Sequence, residues 1–139
     1  MRELKFRAWD KEELEMISPD KLLTLYNNRF LNEILVSDKK VTLMQYTGLK
    51  DRNGVEIYEG DIVQVSGSDG YYVTAKVVYE CGAFWFYAKN ISLVFEEDCD
   101  NMVMLGSMYI EHGDGGDALD MVEVVGNIHQ NPDLLRKEQ

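Results

Sequence analysis

The sequence predicts a mostly β protein whose short strands form a small barrel or a curled antiparallel sheet. Short runs rich in β-branched and aromatic residues recur along the chain, turn residues separate them, and helical periodicity is scarce. The chain has 139 residues, 45% of them hydrophobic, which is enough to build one core. We therefore expect a single domain over residues 1–139, with residues 1–40 as a semi-separate N-terminal lobe.

The N-terminal segment combines strands with one short helix. Residues 4–9 alternate apolar and polar side chains, as a half-buried strand requires, and a return strand begins near Met16. A serine that can cap a helix is followed by proline at position 19, which favours a helix over residues 19–28. Residues 31–36 form a further candidate strand.

Two turn sequences divide the middle of the chain. The tetrapeptide Asp51-Arg-Asn-Gly54 lies between extended segments and is typical of a hairpin connection. Glu59-Gly-Asp61 forms a second bend, in which glycine can adopt a positive φ and aspartate can accept from backbone N–H groups. Asn131 as a cap and Pro132 as first residue predict a short helix over residues 132–137. The remaining expected strands cover residues 41–46, 62–65, 71–80, 83–89, 91–95, 102–110 and 121–129.

Aromatic residues are concentrated in the two strongest predicted strands. Such a stripe could stack nucleic-acid bases, but base-stacking platforms lie in basic grooves, and only Lys76 and Lys89 are nearby. Core and cross-strand packing is therefore the favoured interpretation. The stripe consists of Tyr71, Tyr72, Tyr79, Phe84, Trp85, Phe86 and Tyr87.

Charge is distributed unevenly along the chain. The formal net charge is −11; the first 60 residues hold 10 basic and 11 acidic side chains, whereas the remainder holds 4 and 14. No basic residue lies between Lys89 and Arg136, while nine acids lie from Glu96 to Glu123. Lys and Arg supply most of the affinity for phosphate backbones, so we expect no direct binding to nucleic acid.

The sequence gives no sign of a membrane or secreted protein. No apolar run approaches the roughly 20 residues needed to span a bilayer, and the N-terminus has no continuous signal-peptide core. The two cysteines, Cys81 and Cys99, are too few for a disulfide framework and are expected to be reduced thiols. We therefore expect a cytoplasmic protein without membrane contact.

Four segments together resemble the YopX family of phage-associated proteins. They occur in the family's order and extend from one end of the chain to the other, which makes the combination far more specific than any single segment. The matching segments are Lys5-Phe-Arg-Ala-Trp-Asp10, Met44-Gln-Tyr-Thr-Gly-Leu-Lys-Asp-Arg-Asn-Gly54, Ile57-Tyr-Glu-Gly-Asp-Ile-Val63 and Val122-Glu-Val-Val-Gly-Asn-Ile-His-Gln-Asn-Pro-Asp-Leu-Leu135.

The resemblance implies an origin and a fold, but no activity. A member of this family is expected to come from a phage or prophage, to contain an SH3-like small barrel, to act in the bacterial host cytoplasm and to self-associate. No functional residues are carried over, because the shared motifs have no assigned roles. The motifs also contain what folding itself requires, namely turn glycines, a capping Asn-Pro pair and β-branched strand residues.

Two segments superficially resemble ligand-binding loops. Asp51 opens a calcium-like sequence, but the twelfth position counted from it is Ile62, which cannot ligate a cation as an EF-hand requires. Gly113-Asp-Gly-Gly116 is rich in glycine, but its aspartate would repel a phosphate, and no lysine follows. A turn and an exposed loop are the favoured interpretations.

His112 is a candidate metal ligand. Glu111, Asp114 and Asp117 lie close to it in the sequence and are suitable ligand types. No His-x-His or His-Glu-x-x-His pattern supports a metal, so a solvated acidic loop is favoured. Neither cysteine has a sequence neighbour that would activate it, and no Gly-x-Ser-x-Gly motif is present.

No catalytic, cofactor-binding or metal-binding residue is therefore assigned, and no cofactor is expected. The leading hypothesis is a non-enzymatic phage accessory protein acting through protein–protein contacts, with an unidentified partner and as a homo-oligomer. One alternative is an acidic DNA mimic that inhibits a host nucleic-acid enzyme, although solubility alone explains the acidic stretch more simply. A metal-assisted enzyme would require His112 or His129 to meet two carboxylates in a pocket.

Overall fold

The computed structural model describes residues 4–25, 41–67, 70–89, 102–105 and 118–136. The chain forms two compact units, residues 1–46 and residues 47–139. The described part is mostly β, with a curled antiparallel half-barrel sheet and two short helices, which confirms the predicted fold class. The assignment of one domain with residues 1–40 as a lobe stays a prediction.

The first unit is a small antiparallel sheet with a helix packed against it. The central strand β1 pairs with β2 on one side and with the first part of β3 on the other. Helix α1 contacts β1, and Leu22 joins Ala8, Ile17 and Val41 in a buried cluster. The elements are β1 (Phe6–Asp10), β2 (Glu15–Ile17), α1 (Pro19–Leu25) and the long strand β3 (Val41–Asp51).

Helix α1 begins where the sequence predicts. The Ser18 side chain accepts a hydrogen bond from the Lys21 backbone N–H at 3.3 Å, which satisfies one of the donors that a helix start leaves unpaired. Residues 26–28 of the predicted helix lie outside the described residues, as does the strand predicted over residues 31–36.

The second unit contains the curled sheet, in which the antiparallel strands have the order β10-β5-β6-β7-β8. Strand β4 pairs with β3, and β9 pairs in parallel with the end of β3 at Lys50 and Asp51. Helix α2 contacts β6. The elements are β4 (Glu56–Tyr58), β5 (Asp61–Ser66), β6 (Tyr72–Glu80), β7 (Ala83–Tyr87), β8 (Met102–Met104), β9 (Ala118–Leu119), β10 (Val122–Asn127) and α2 (Asp133–Arg136).

Alternation along β6 shows which sheet face is buried. Val73, Ala75 and Val77 are at most 5% exposed, whereas the intervening side chains lie on the opposite, outer face. Val73, Ala75 and Val77 belong to a core cluster that also contains Ile57, Val63, Val65, Phe86, Leu119 and Val122. The core of this unit is therefore dominated by β-branched residues, as its sequence predicts.

Several strand predictions differ from the structure in extent. Strand β3 continues to Asp51, beyond the predicted end at residue 46, because pairing with β4 and β9 extends it. Of the strand predicted over residues 102–110, Met102–Met104 is a strand and residues 106–110 lie outside the described residues, as does the strand predicted over residues 91–95. The helix predicted over residues 132–137 is observed as α2 over Asp133–Arg136, and residue 137 lies outside the described residues.

The interpretation of the aromatic stripe as core is largely wrong. Phe86 is fully buried and Phe84 packs against the core, but the tyrosines at positions 71, 72, 79 and 87 are 65%, 56%, 50% and 39% exposed. The reason is strand alternation together with position at strand ends, which places a neighbour of each buried residue on the outer face. Cross-strand packing does occur, since the rings of Tyr79 and Phe84 meet edge-to-face at 5.0 Å.

Candidate functional site

Asp51 is the buried polar centre of the sequence motif at residues 46–63. Its side chain is 0% exposed. Oδ1 accepts hydrogen bonds from the backbone N–H groups of Asn53 at 2.8 Å and Val55 at 2.9 Å, while Oδ2 accepts from that of Val124 at 2.9 Å. Hydrogen bonds to an ionised acceptor are stronger than neutral ones, so this carboxylate stabilises the turn and links it to β10.

Arg52 makes a second link to the same strand. Its backbone N–H donates to the Val122 carbonyl at 2.9 Å, and its guanidinium contacts Glu123 Oε2 at 2.6 Å. The Val122 carbonyl and the Val124 N–H point away from β5, which is bonded through neighbouring groups of β10. Unpaired backbone groups at a sheet edge can pair with a strand of another molecule. The hydrogen bonds from this turn satisfy such groups of β10 and so cover its edge.

The glycine of the tetrapeptide is required by backbone conformation. Gly54 has a φ of +81°, and no atom lies within 4 Å of the Cβ that another residue would place there. Its N–H donates to the Asp51 carbonyl at 3.0 Å, which closes the turn. The restriction at this position therefore comes from the positive φ and not from lack of space.

The second bend of the motif is also built around a buried carboxylate. Asp61 is 1% exposed, and its Oδ2 accepts from the Tyr58 backbone N–H at 2.8 Å. Gly60 has a φ of +84° and donates its N–H to the Val77 carbonyl at 2.8 Å. The bend thus joins the start of β5 to β6, as the Gly-Asp sequence indicates.

The C-terminal motif forms a compact turn after β10. Asn127 Oδ1 accepts from the backbone N–H groups of His129 at 3.0 Å and Gln130 at 2.9 Å. Asn131 Oδ1 accepts from the Asn127 N–H at 3.3 Å, and it lies 2.6 Å from the position a Cβ would take at Gly126. Glycine is needed there because the Asn131 side chain occupies the space of any larger residue.

The predicted capping role of Asn131 is wrong in its detail. Its side-chain oxygen accepts from the Asn127 N–H behind it, whereas the backbone carbonyl of Asn131 accepts from the Leu134 N–H at 3.1 Å. The side chain therefore closes the preceding turn instead of satisfying the first amides of α2. A sequence pattern of Asn-Pro before a helix does not distinguish these two uses.

The outer face of the curled sheet carries a mixed apolar and charged strip. We call the outer strip six of the side chains that β6, β7 and β8 place on this face. Lys76 Nζ lies 5.2 Å from the centre of the Tyr87 ring, and Trp85 Nε1 donates to the Glu80 carbonyl at 2.9 Å. The strip consists of Lys76, Val78, Glu80, Trp85, Tyr87 and Met104.

Only some of the candidate residues in the acidic region are described by the structure. His112, Asp114 and Asp117 lie outside the described residues, and so does Cys99. Glu123 is described and pairs with Arg52. In the described ranges there is no group of three or more His, Cys, Asp or Glu side chains that could hold a metal ion.

Comparison with known proteins identifies the family. The family model described as YopX protein matches residues 5–136. The chain belongs to the YopX family. This membership confirms the resemblance inferred from the four sequence segments.

Two solved structures support the assignment of the YopX-family fold. Protein EF1440 from Enterococcus faecalis is 26% identical, covers 97% of this chain and 99% of its own, and superposes with a TM-score of 0.55. Protein yopX from Bacillus subtilis is 18% identical with the same coverage and a TM-score of 0.58, which shows a shared fold. No curated protein sequence gives a significant match.

Sequence reasoning located the motifs of this YopX-family chain but missed their partners. Asp51 is bonded to Val124, 73 residues further along, and nothing in either local sequence indicates that contact. The buried state of Asp61 and Asn127 was likewise not predicted, because both residues are also common in exposed turns. Among the described helices, none has the length and apolar character needed to cross a bilayer.

Proposed function

We propose that this YopX-family chain is a phage or prophage accessory protein that acts in the host cytoplasm by binding another protein, and not by catalysis. The observation that supports the proposal is that the buried and the exposed residues have different roles. The polar side chains of the family motifs bond to backbone groups, while large aromatic side chains lie on the surface.

The buried polar residues are fully used in holding the chain together. Asp51 and Asn127 accept five backbone N–H groups between them, and Asp61 accepts one more. Side chains with these roles cannot leave their partners for a substrate without leaving buried N–H groups unsatisfied, which costs about 1–3 kcal/mol each. Residues used in this way support a binding scaffold better than a reactive centre.

The exposed aromatics supply the binding chemistry. Tyr71 and Tyr72 are 65% and 56% exposed; Tyr71 is the last residue before β6, and Tyr72 is the first residue of that strand. Tyrosine offers a large apolar area together with a hydroxyl, and it is enriched among the residues that contribute most to protein interfaces. The two side chains are adjacent in sequence at the start of β6, so together they present a large exposed aromatic surface at this end of the strand.

The experiment compares capture by the wild-type chain and by a double variant, Tyr71→Ala with Tyr72→Ala. A protein captured from phage-carrying cells is purified, and its affinity for both forms is measured by calorimetry. The proposal predicts saturable binding and a dissociation constant raised roughly tenfold or more in the double variant. Leu23→Ala is the matched control, because Leu23 is 71% exposed but lies in the first unit.

Two results would contradict the proposal. If no partner binds saturably, the proposal is wrong. If the wild type and the tyrosine variant bind the partner with equal affinity, Tyr71 and Tyr72 are not the binding site.

Two further results would support the alternatives. If the captured protein is a nucleic-acid enzyme that DNA displaces, and neutralising Glu96, Glu97, Asp98 and Asp100 abolishes binding, acidic mimicry replaces the aromatic contact. A rise in melting temperature with Ca²⁺ or Mn²⁺ that Asp114→Asn removes would instead support the metal-assisted alternative.

A further inference from the structure

The outer strip carries opposite charges at its two ends. Lys76, Val78 and Glu80 occupy every second position of β6, so their side chains share the outer face. Four residues of strand separate Lys76 from Glu80 by roughly 13 Å, which is too far for an ion pair within one chain. Neither residue takes part in any salt bridge within the part of the chain that the structure describes.

The middle of the outer strip is apolar. Trp85 lies opposite Val78 in β6 on one side and opposite Met104 in β8 on the other. The indole N–H donates to the Glu80 carbonyl, so burial of the ring would leave no donor unsatisfied. Tyr87 and Met104 are 39% and 43% exposed, and they extend this apolar surface from β6 onto β7 and β8.

We propose that the outer strip is the contact between two copies of this chain, related by a two-fold axis near Val78 and Trp85. In a two-fold contact the same surface meets itself in reverse, so residue i faces j and j faces i. Reversal places Lys76 of each copy opposite Glu80 of the other, with the two tryptophans in the centre. Both charged pairs are therefore attractive.

Charge complementarity selects a second copy over an unrelated protein. The formal net charge of −11 makes contact between most surfaces of two copies repulsive. The outer strip is different, because its positive end in one copy meets its negative end in the other when the two copies are related by a two-fold axis. An apolar centre with charges at the rim is also the usual anatomy of a protein interface.

Charge reversal provides the test. Lys76→Glu and Glu80→Lys each convert two attractive pairs into two repulsive ones, and each should raise the dimer dissociation constant about tenfold or more. The double variant carrying both substitutions restores both pairs and should dimerise nearly as the wild type does. Sedimentation equilibrium over a concentration series measures all four proteins, and circular dichroism melting checks that each is folded.

A mixing experiment separates pairing from general charge effects. Lys76→Glu mixed with Glu80→Lys should form a mixed dimer, because each copy then supplies the charge that the other requires. Glu80→Lys also makes the chain less acidic, so a general charge effect would strengthen its dimer, whereas the proposed pairing weakens it. Asp120→Lys, with the same change of charge at an exposed turn, is the control and should not weaken dimerisation.

The proposal has clear contradicting outcomes. A wild-type chain that stays monomeric over the whole series overturns it, as does a dimer that neither single charge reversal weakens. A double variant as weak as the single variants would show that these residues do not face each other. The result is independent of the tyrosine contact with a partner, since Tyr71 and Tyr72 are unchanged in every variant.

Discussion

The Asp51 carboxylate accepts a hydrogen bond from the backbone N–H of Val124 at 2.9 Å, across 73 residues of sequence. The same side chain holds the turn that joins β3 and β4, so one residue stabilises both a local turn and a distant strand edge. In the YopX-family fold this motif is therefore a structural element, and the exposed aromatic and charged residues are the candidates for function.

Asp51→Asn should destabilise the protein strongly. Asparagine keeps the size of the side chain but replaces one accepting oxygen with an NH₂ group, which cannot accept from an N–H donor. A loss of about 2–4 kcal/mol in the free energy of unfolding is expected, measured by urea denaturation. Asp133→Asn is the control, because that side chain is 79% exposed and should change stability by less than about 0.5 kcal/mol. Similar stability of the two variants would contradict the role given to Asp51.

Gly126→Ala should also be destabilising, but for a steric reason. The added Cβ would lie 2.6 Å from Asn131 Oδ1, so one of the two must move, at a cost of about 1–3 kcal/mol. Asn131→Ala removes the two nearest clashing atoms, Oδ1 and Cγ, and leaves only Cβ at 2.9 Å; it also removes a hydrogen bond to the Asn127 N–H. The double variant should therefore be more stable than the sum of the two single effects predicts, and strict additivity would refute the clash.

Cys81→Asn should stabilise the β6–β7 hairpin. Cys81 and Gly82 have φ values of 52° and 78°, the left-handed pair that a two-residue hairpin turn requires. Asparagine tolerates this conformation better than cysteine does, so a gain of up to about 1 kcal/mol is expected in urea denaturation. Cys81→Val, a β-branched residue of similar size, should have the opposite sign. A destabilising asparagine variant would contradict this account of the turn.

Phe86 and Tyr87 are sequence neighbours with different roles. Phe86 is fully buried in the core of the second unit, so Phe86→Ala should cost about 3–5 kcal/mol. Tyr87 is 39% exposed on the outer strip, and Tyr87→Ala should cost about 1 kcal/mol or less while weakening self-association. Urea denaturation and sedimentation together check both values, and equal destabilisation by the two substitutions would contradict the assignment of faces.

The sequence determined the class of the fold because its signals are local. The alternation in β6, the capping Ser18 and the turn at Asp51 to Gly54 are all set by neighbouring residues. Strand order and the contact between Asp51 and Val124 depend on residues far apart in the chain, and no local pattern specifies them.

The candidate surfaces were harder to predict than the fold. The density of aromatic residues and the lack of a basic groove favoured core and cross-strand packing for the aromatic stripe, but neither reveals which strand face each residue occupies. The opposite charges of Lys76 and Glu80 become meaningful only once both residues are known to share the outer face of β6. The spacing of the two residues is visible in the sequence, but the fact that they share an exposed sheet face is known only from the structure.

Amide hydrogen exchange with and without the purified protein partner tests the central claim most directly. The account predicts that the partner slows exchange around Tyr71 and Tyr72. It also predicts no change at the amides of Asn53, Val55 and Val124, which are already bonded to Asp51. Protection confined to these three amides, with none at the tyrosines, would show that the family motif itself is the binding site and would contradict the account.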